Sequence, residues 1–491
     1  MRYGRCLTIL FPLLTIFVGG LLAQQNDTAS DSQPGTVTQG VSPEASQTPG
    51  GIQVPAEEGA GTPTRRLPPL SGATVLTPGS AGEEMNYLLW SMLWTGVGDT
   101  NTESGPGQSN LRTESVPLLN LTLQRLGRHS ETNLDYSGGG FFYGQQLPVT
   151  NNIRVSPNNT IQRADVSDSL AWRRWNLLLS DQVAYLPESP LGFPGFNGLG
   201  SFNSGLGGNY LSQQPTTNPL LNPDQSLLTS PGTRVSNSFV TDLGYSLGAR
   251  STLTATGSYS SLTFLEPGFI NSQYILVQAG FSQDLSSRDE FAIAYSHFFV
   301  KFNSQNHDVL DRGVVLTYGH VLSGRLSLQL SAGPSLVQIA LPQGGDTSRG
   351  FLSTYDALKY RSGKYDASIS FTRAITGGAG LLFGAETDLA LASGGRRLWR
   401  RGRIELRSGR EFGKSLTGQS PEARRVEFEN WQGGLSLNRE FSDRLSVFLG
   451  YDYVRQVQNS LICANDRCGD LVIRQLATVG VNWHGRPVRI H

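Results

Sequence analysis

Apolar residues alternate with Ser, Thr, Gly, Asn or Asp from about Tyr87 to Trp483. Leu326-Ser327-Leu328-Gln329-Leu330-Ser331-Ala332-Gly333 is one clear stretch, and Tyr365-Asp366-Ala367-Ser368-Ile369-Ser370-Phe371-Thr372 is another. Successive side chains of a strand point to opposite faces, so each run makes one apolar and one polar surface. A soluble sandwich turns the apolar surface inward, whereas a membrane barrel turns it outward.

Alternating runs bounded by turn residues place strands near 86–97, 114–127, 130–143, 160–172, 175–186, 234–247, 250–264, 271–285 and 288–302. The second half adds 307–322, 325–339, 350–361, 364–375, 384–395, 400–412, 425–440, 444–457 and 470–484. That is about eighteen strands, with sixteen as the alternative, and single-chain bacterial barrels have even counts.

The connections fall into two kinds. Tight ones include 127–130, Arg173-Arg174, Gly248-Ala249, 286–288, Ser323-Gly324, 361–363 and 441–443. Longer ones include 98–114, 144–159, 186–233, 340–349, 413–424 and 459–469. Short turns on one rim and longer loops on the other are the asymmetry of an outer-membrane barrel, with its short side in the periplasm. The expected fold is therefore all-β, a transmembrane antiparallel up-and-down barrel over 86–491, with both termini periplasmic. Tyr451, Tyr453, Trp483, Trp431, Phe281, Phe291 and Tyr295 lie on the apolar phase, where an interfacial girdle would stand.

The N-terminus agrees with export. Two arginines precede an apolar run from Cys6 to Ala23, and Gln24 opens a polar region, which together describe a signal peptide over 1–23. The competing reading, a membrane anchor, is weakened by a run near the short end of the roughly 20 residues that span a bilayer. No other apolar run approaches that length. Residues 24–85 are rich in Gly, Pro, Ser, Thr and Gln, the composition of a disordered periplasmic leader. The leader is too short for a folded plug, which argues against an energy-coupled siderophore transporter.

Lys plus Arg and Asp plus Glu both number 39, so nothing suggests a nucleic-acid partner. Charged residues are only 16%, while 58 glycines suit close-packed strands with small side chains. The mean hydropathy of -0.24 is compatible with a barrel, which shows lipid every second residue. Cys6 leaves with the signal peptide. Cys463 and Cys468 then remain as a candidate disulfide stapling the loop 459–469, and zinc would need further ligands than these two thiols.

The alternating strands, turns such as Arg173-Arg174-Trp175, Ser323-Gly324-Arg325-Leu326 and Ser442-Asp443-Arg444-Leu445, and the stretch from Thr372 to Leu382 resemble uncharacterised porin-like outer-membrane β-barrel proteins of Gram-negative bacteria. The resemblance covers about 86–491 and rests on loose motifs. It implies passive diffusion of small hydrophilic solutes, or else a non-conducting barrel that supports exopolysaccharide export, adhesion or envelope structure. It brings no catalytic residue and no cofactor. Outer-membrane lipid, lipopolysaccharide and the barrel-insertion machinery are the implied partners, with the aromatic-terminated strand ending at Trp483 as the insertion signal. Trimer and monomer are equally open.

Charges on the polar phase are the candidate pore lining: Asp366, Asp388, Arg403, Glu405, Arg407, Asp452 and Arg474. The alternative is that they pair with one another across a filled lumen. Arg396 to Arg401 reads as a solvated periplasmic turn. The nearly uncharged loop 186–233 carries Phe193, Phe196, Phe202 and Tyr210 among glycines. By the resemblance it folds inward as a constriction whose rings stack on sugars, and the alternative is a mobile surface loop. No enzyme site assembles: His307 and Asp308 are adjacent in sequence, so on a strand they point apart.

Overall fold

The alternation becomes a closed wall because every long strand finds an antiparallel partner on both sides. The computed structural model describes residues 86–100, 112–143, 158–186, 233–265, 270–303, 308–340, 345–376, 383–399, 401–416, 427–458 and 471–490. All of these belong to one compact unit, Gln47–His491. The second unit, Met1–Ser46, lies outside the described residues, as do the whole leader, the four loop aromatics Phe193, Phe196, Phe202 and Tyr210, and the cysteine pair Cys463 and Cys468.

The strands are β1 (Tyr87–Asp99), β2 (Arg112–Leu126), β3 (Ser130–Tyr143), β4 (Asn158–Ala171), β5 (Trp175–Leu186), β6 (Arg234–Ser246), β7 (Ser251–Phe264), β8 (Ser272–Asp284) and β9 (Asp289–Phe302). They continue as β10 (Val309–Ser323), β11 (Leu326–Ala340), β12 (Asp346–Arg361), β13 (Tyr365–Thr376), β14 (Ala385–Trp399), β15 (Gly402–Ser415), β16 (Glu427–Ser442), β17 (Leu445–Gln458) and β18 (Leu471–His484). A two-residue piece, β19 (Val488–Arg489), follows the bend at 485–487 and pairs with Tyr87 and Leu88. Sequential neighbours pair throughout, and β1 closes the ring on β18 from Ser91↔His484 to Asp99↔Leu476. The expected eighteen-strand up-and-down barrel is what forms. Arg396 and Arg397 lie within β14, which runs to Trp399 with an irregularity before it, so the expected turn does not begin at Arg396.

One rim carries the connections 127–129, 172–174, 247–250, 285–288, 324–325, 362–364, 400–401 and 443–444. The opposite rim carries all the longer ones, and β1 begins and β18 ends at the short-turn rim. The Ser-x-Arg turns have a local cause. The hydroxyl oxygens of Ser286, Ser323 and Ser442 each accept the backbone N–H two residues on, at 3.0, 3.3 and 3.3 Å. A serine there supplies the acceptor that a tight turn otherwise lacks.

Burial separates the faces. Among the described residues nothing packs on the outside of the single-layer wall through most of its height, so there the buried phase of each strand is the lumenal one; Ile375, at the long-loop end of β13, is buried on the other phase. Ser91, Thr95, Thr256, Ser260, Ser331, Arg407, Asp452, Gln456 and Thr478 are buried on that phase. Ile369 at 61% and Leu406 at 63% are exposed on the other, with Val277, Leu316, Leu435 and Leu449 beside them. A soluble protein does not display so continuous an apolar surface, whereas a bilayer requires one. Near the short-turn rim the outer phase turns aromatic: Trp90 meets Trp483 edge to face at 4.9 Å and Trp175 meets Tyr245 at 4.3 Å. Arg439 lies over Phe441 and Arg396 over Tyr365, as cations reaching for the interface would.

Two glycines are required by close approach. A side chain at Gly139 would strike the backbone carbonyl of Pro117, and one at Gly333 the carbonyl of Val314. Both lie beside breaks in the ladders, between Ser115↔Phe142 and Leu118↔Gly139 and between Gly313↔Ser335 and Leu316↔Ala332. Pro117 and Pro334 cannot donate to a ladder, which accounts for pairing lapsing there.

Candidate functional site: the lumenal wall

Six of the charged residues that the sequence singles out stand on the lumenal phase, and three ion pairs organise them. Arg403 on β15 donates from Nη2 to Asp366 Oδ1 on β13 at 2.6 Å and from Nε to Glu405 Oε1 at 2.6 Å. Arg407, two positions along β15, donates to Asp452 Oδ1 on β17 at 2.8 Å. Two of the pairs, Arg403–Asp366 and Arg407–Asp452, cross an intervening strand. The first passes over Gly395 of β14, where a Cβ would meet the Asp366 carboxylate at 2.9 Å, and the second over Gly434 of β16, where a Cβ would meet Arg407 Nη2 at 2.9 Å. The glycines are the gaps through which guanidinium groups of one strand reach carboxylates two strands away. Arg474 is buried on the lumenal phase of β18. Asp388 occupies the opposite phase of β14, its Oδ1 3.7 Å from Arg373 Nε.

A second charged arc lies across β2 to β7. Arg163 and Asp165 pair at 2.6 Å, Thr122 donates to Asp135 at 2.6 Å, and Thr256 donates to Asp242 at 2.8 Å. Sequence reading passed over these residues, although Asp135 sits in phase with Asn133 and Ser137 and the same beat would have found it.

The lumen is not polar along its whole height. Toward the long-loop rim, the inward side chains Leu262 and Phe264 of β7, Tyr274 and Leu276 of β8, Phe298, Val300 and Phe302 of β9, and Val337 and Ile339 of β11 are buried together in one apolar cluster. The rim of β14 and β15 folds onto it. Phe383 meets Phe302 edge to face with centroids 5.4 Å apart, and Leu416 joins the same cluster. Gly384, at φ +81°, makes the bend; a Cβ on it would meet Leu416 at 2.8 Å and Val309 at 3.3 Å. Five strand spacings of about 4.8 Å separate β9 from β14 along the wall, so contact between their ends means that the mouth is pinched.

The alternation itself signals this cluster, because Phe298-Phe299-Val300 is apolar on both phases, as a segment covered on both faces must be.

No family model matches the chain, and no curated protein matches it. Solved structures do. The chain is similar to Pseudomonas aeruginosa OpdK, solved with vanillate, at 11% identity and TM-score 0.41, over 81% of this chain and 98% of that one. It is similar to OccK9 (OpdG) of Pseudomonas aeruginosa at 11% identity and TM-score 0.42, over 82% and 98%. Acinetobacter baumannii OccAB4 matches at 8% identity and TM-score 0.41, over 82% and 99%.

Proposed function

We propose that this chain is a porin-like channel of a bacterial outer membrane that lets small hydrophilic solutes diffuse passively. The observation that supports it is the segregation of chemistry across the wall: charges and hydroxyls on the lumenal phase, leucines and aromatics on the lipid phase. A solute entering at the long-loop rim passes the apolar pinch of Phe302, Val309, Phe383 and Leu416. It then meets Asp366, Arg403, Glu405, Arg407, Asp452 and Arg474, whose donors and acceptors replace lost hydration. Because most of these charges are internally compensated, an ion is not held tightly and can leave.

The same proposal places the short-turn rim in the periplasm, with signal peptide and leader on that side. Lipopolysaccharide then surrounds the long-loop rim, and the Cys463–Cys468 pair staples an outer loop. The aromatic loop 186–233 narrows the entrance, so its deletion raises the current.

A second reading is favoured by one observation. Arg407 and Asp452 are each only 6% exposed, and the upper lumen is packed with apolar side chains. A filled barrel of this kind would serve export, adhesion or envelope structure without conducting. Liposome swelling separates the two. Refolded protein in vesicles should speed swelling in pentoses and slow progressively with larger sugars; swelling no faster than in empty vesicles would reject the channel.

A further inference from the structure

The apolar cluster at the mouth holds a carboxylate. Asp311 stands on the lumenal phase of β10, two residues below Val309 of the pinch, and is 8% exposed. Its partners in register are Phe298 on β9 and Val337 on β11, both buried in that cluster. Two residues are one step along the lumenal face of a strand, so a solute that clears Phe302, Val309 and Phe383 arrives beside Asp311.

Among the described residues nothing balances this charge. Asp311 Oδ1 and Ser335 Oγ, beside it on β11, are both buried without a hydrogen-bond partner. Turning the serine hydroxyl toward the carboxylate would give it one donor, where an ionised carboxylate has room for about four. Arg349 shares the row through Asp311↔Val337 and Val337↔Arg349, but it stands two strand spacings away, about 10 Å, and donates to Glu386 at 3.2 Å. Arg234, buried on β6, lies 5.0 Å over the Phe264 ring, four strands from β10. A carboxylate among apolar side chains is ordinarily paired with a cation.

The row beneath Asp311 leaves space for one. Ser296, Gly313 and Ser335 stand side by side on the lumenal phase of β9, β10 and β11, and none carries more than a hydroxymethyl group. The wall is therefore thin directly under the carboxylate, on the side facing the polar lumen. Deeper acids differ in their pairing: Asp366 meets Arg403 at 2.6 Å and Asp452 meets Arg407 at 2.8 Å. A passing ion finds those charges cancelled and the charge of Asp311 uncancelled.

We infer that Asp311 sets the selectivity of the mouth: cations, small alkylammonium solutes among them, pass it, and anions of like size are held back. The inference rests on the channel function proposed above. The permeating cation is the partner that the carboxylate lacks; it bonds to Asp311 while any apolar part lies against Phe298 and Val337. An anion meets repulsion at the pinch, where apolar walls lower the local dielectric and screening is weak. A single carboxylate is not a cage, so the cation moves on.

The test is the reversal potential of the refolded full-length protein in a planar bilayer, under a gradient of potassium chloride and then of ethylammonium chloride. Wild type should pass potassium and ethylammonium roughly tenfold better than chloride, and Asp311→Asn should bring both ratios down to about twofold at nearly the same unit conductance. A merely structural role for Asp311 would not move the ratio while the conductance holds. D311S, smaller and equally neutral, should give the same reading, and it serves if D311N does not reach the folded gel mobility. A ratio in a folded neutral variant equal to wild type would overturn the inference and move selectivity to the deeper acids Asp135, Asp165 and Asp242. So would a wild type that prefers chloride. Folded, inserted wild type that passes no current would instead overturn the channel function itself, and this inference with it.

Discussion

The guanidinium of Arg407 on β15 reaches Asp452 on β17 at 2.8 Å by passing over Gly434 of the strand between them. Both side chains are almost wholly buried, so removing one partner leaves the other charged and desolvated. Arg407→Leu should cost about 3 kcal/mol, while R407L/D452L should recover most of it, because a vacated ion pair is cheaper than half of one. Urea unfolding of the barrel in phospholipid vesicles measures both. Equal loss in the single and double variants would show that the pair is not the unit of stability.

The pinch at the mouth gives a coupled expectation. Phe383→Ala removes the ring that meets Phe302. It should cost about 2 kcal/mol, less than a fully buried phenylalanine, and at the same time raise single-channel conductance. Lower stability with unchanged current would place the narrowest point elsewhere.

Glycine at Gly333 should tolerate nothing larger, because the Val314 carbonyl occupies the place of a Cβ. Gly350, on β12, has open space around it. G333V should therefore lose upward of about 2 kcal/mol or fail to insert, and G350V should stay within about 0.5 kcal/mol of wild type. Heat-modifiable gel mobility reports folding of each.

At the solvent-facing short-turn rim, beyond the lipid band, Asp289 accepts from Ser286 at 2.5 Å and Tyr318 at 2.6 Å and lies 2.6 Å from His320 Nδ1. Hydrogen bonds from Ser286, Tyr318 and His320 hold its carboxyl down to about 2. A carboxyl depressed in the folded state stabilises its turn fully above the ordinary carboxylate range and loses that contribution as pH falls through about 2. Amide protection factors of 286–289 should thus decline between pH 4 and 2 in wild type. D289N should show the low values already at pH 6, and identical profiles would remove the carboxylate from the account.

The eighteen strands were legible because lipid outside and polar groups inside impose a strict two-residue period, and β11 and β13 follow it almost without exception. Arg403, Glu405 and Arg407 were legible for the same reason, as alternate residues of one strand. Their partners were not, since pairing over Gly395 and Gly434 depends on register between strands far apart in sequence. The contact of Phe302 with Phe383 depends on curvature of the whole wall, which no local pattern encodes. β12 starts at Asp346, not near 350, and so overhangs β13, with which it pairs only as far as Thr354↔Arg373. Strand overhang is set by the neighbour β11 rather than by the residues of β12 themselves.

The most direct measurement is current through refolded protein in a planar bilayer. The polar, charge-paired lumen predicts discrete ohmic steps, larger in the Phe383→Ala variant than in wild type. A barrel that shows the folded gel mobility, inserts into the bilayer and passes no current in either form would contradict the channel.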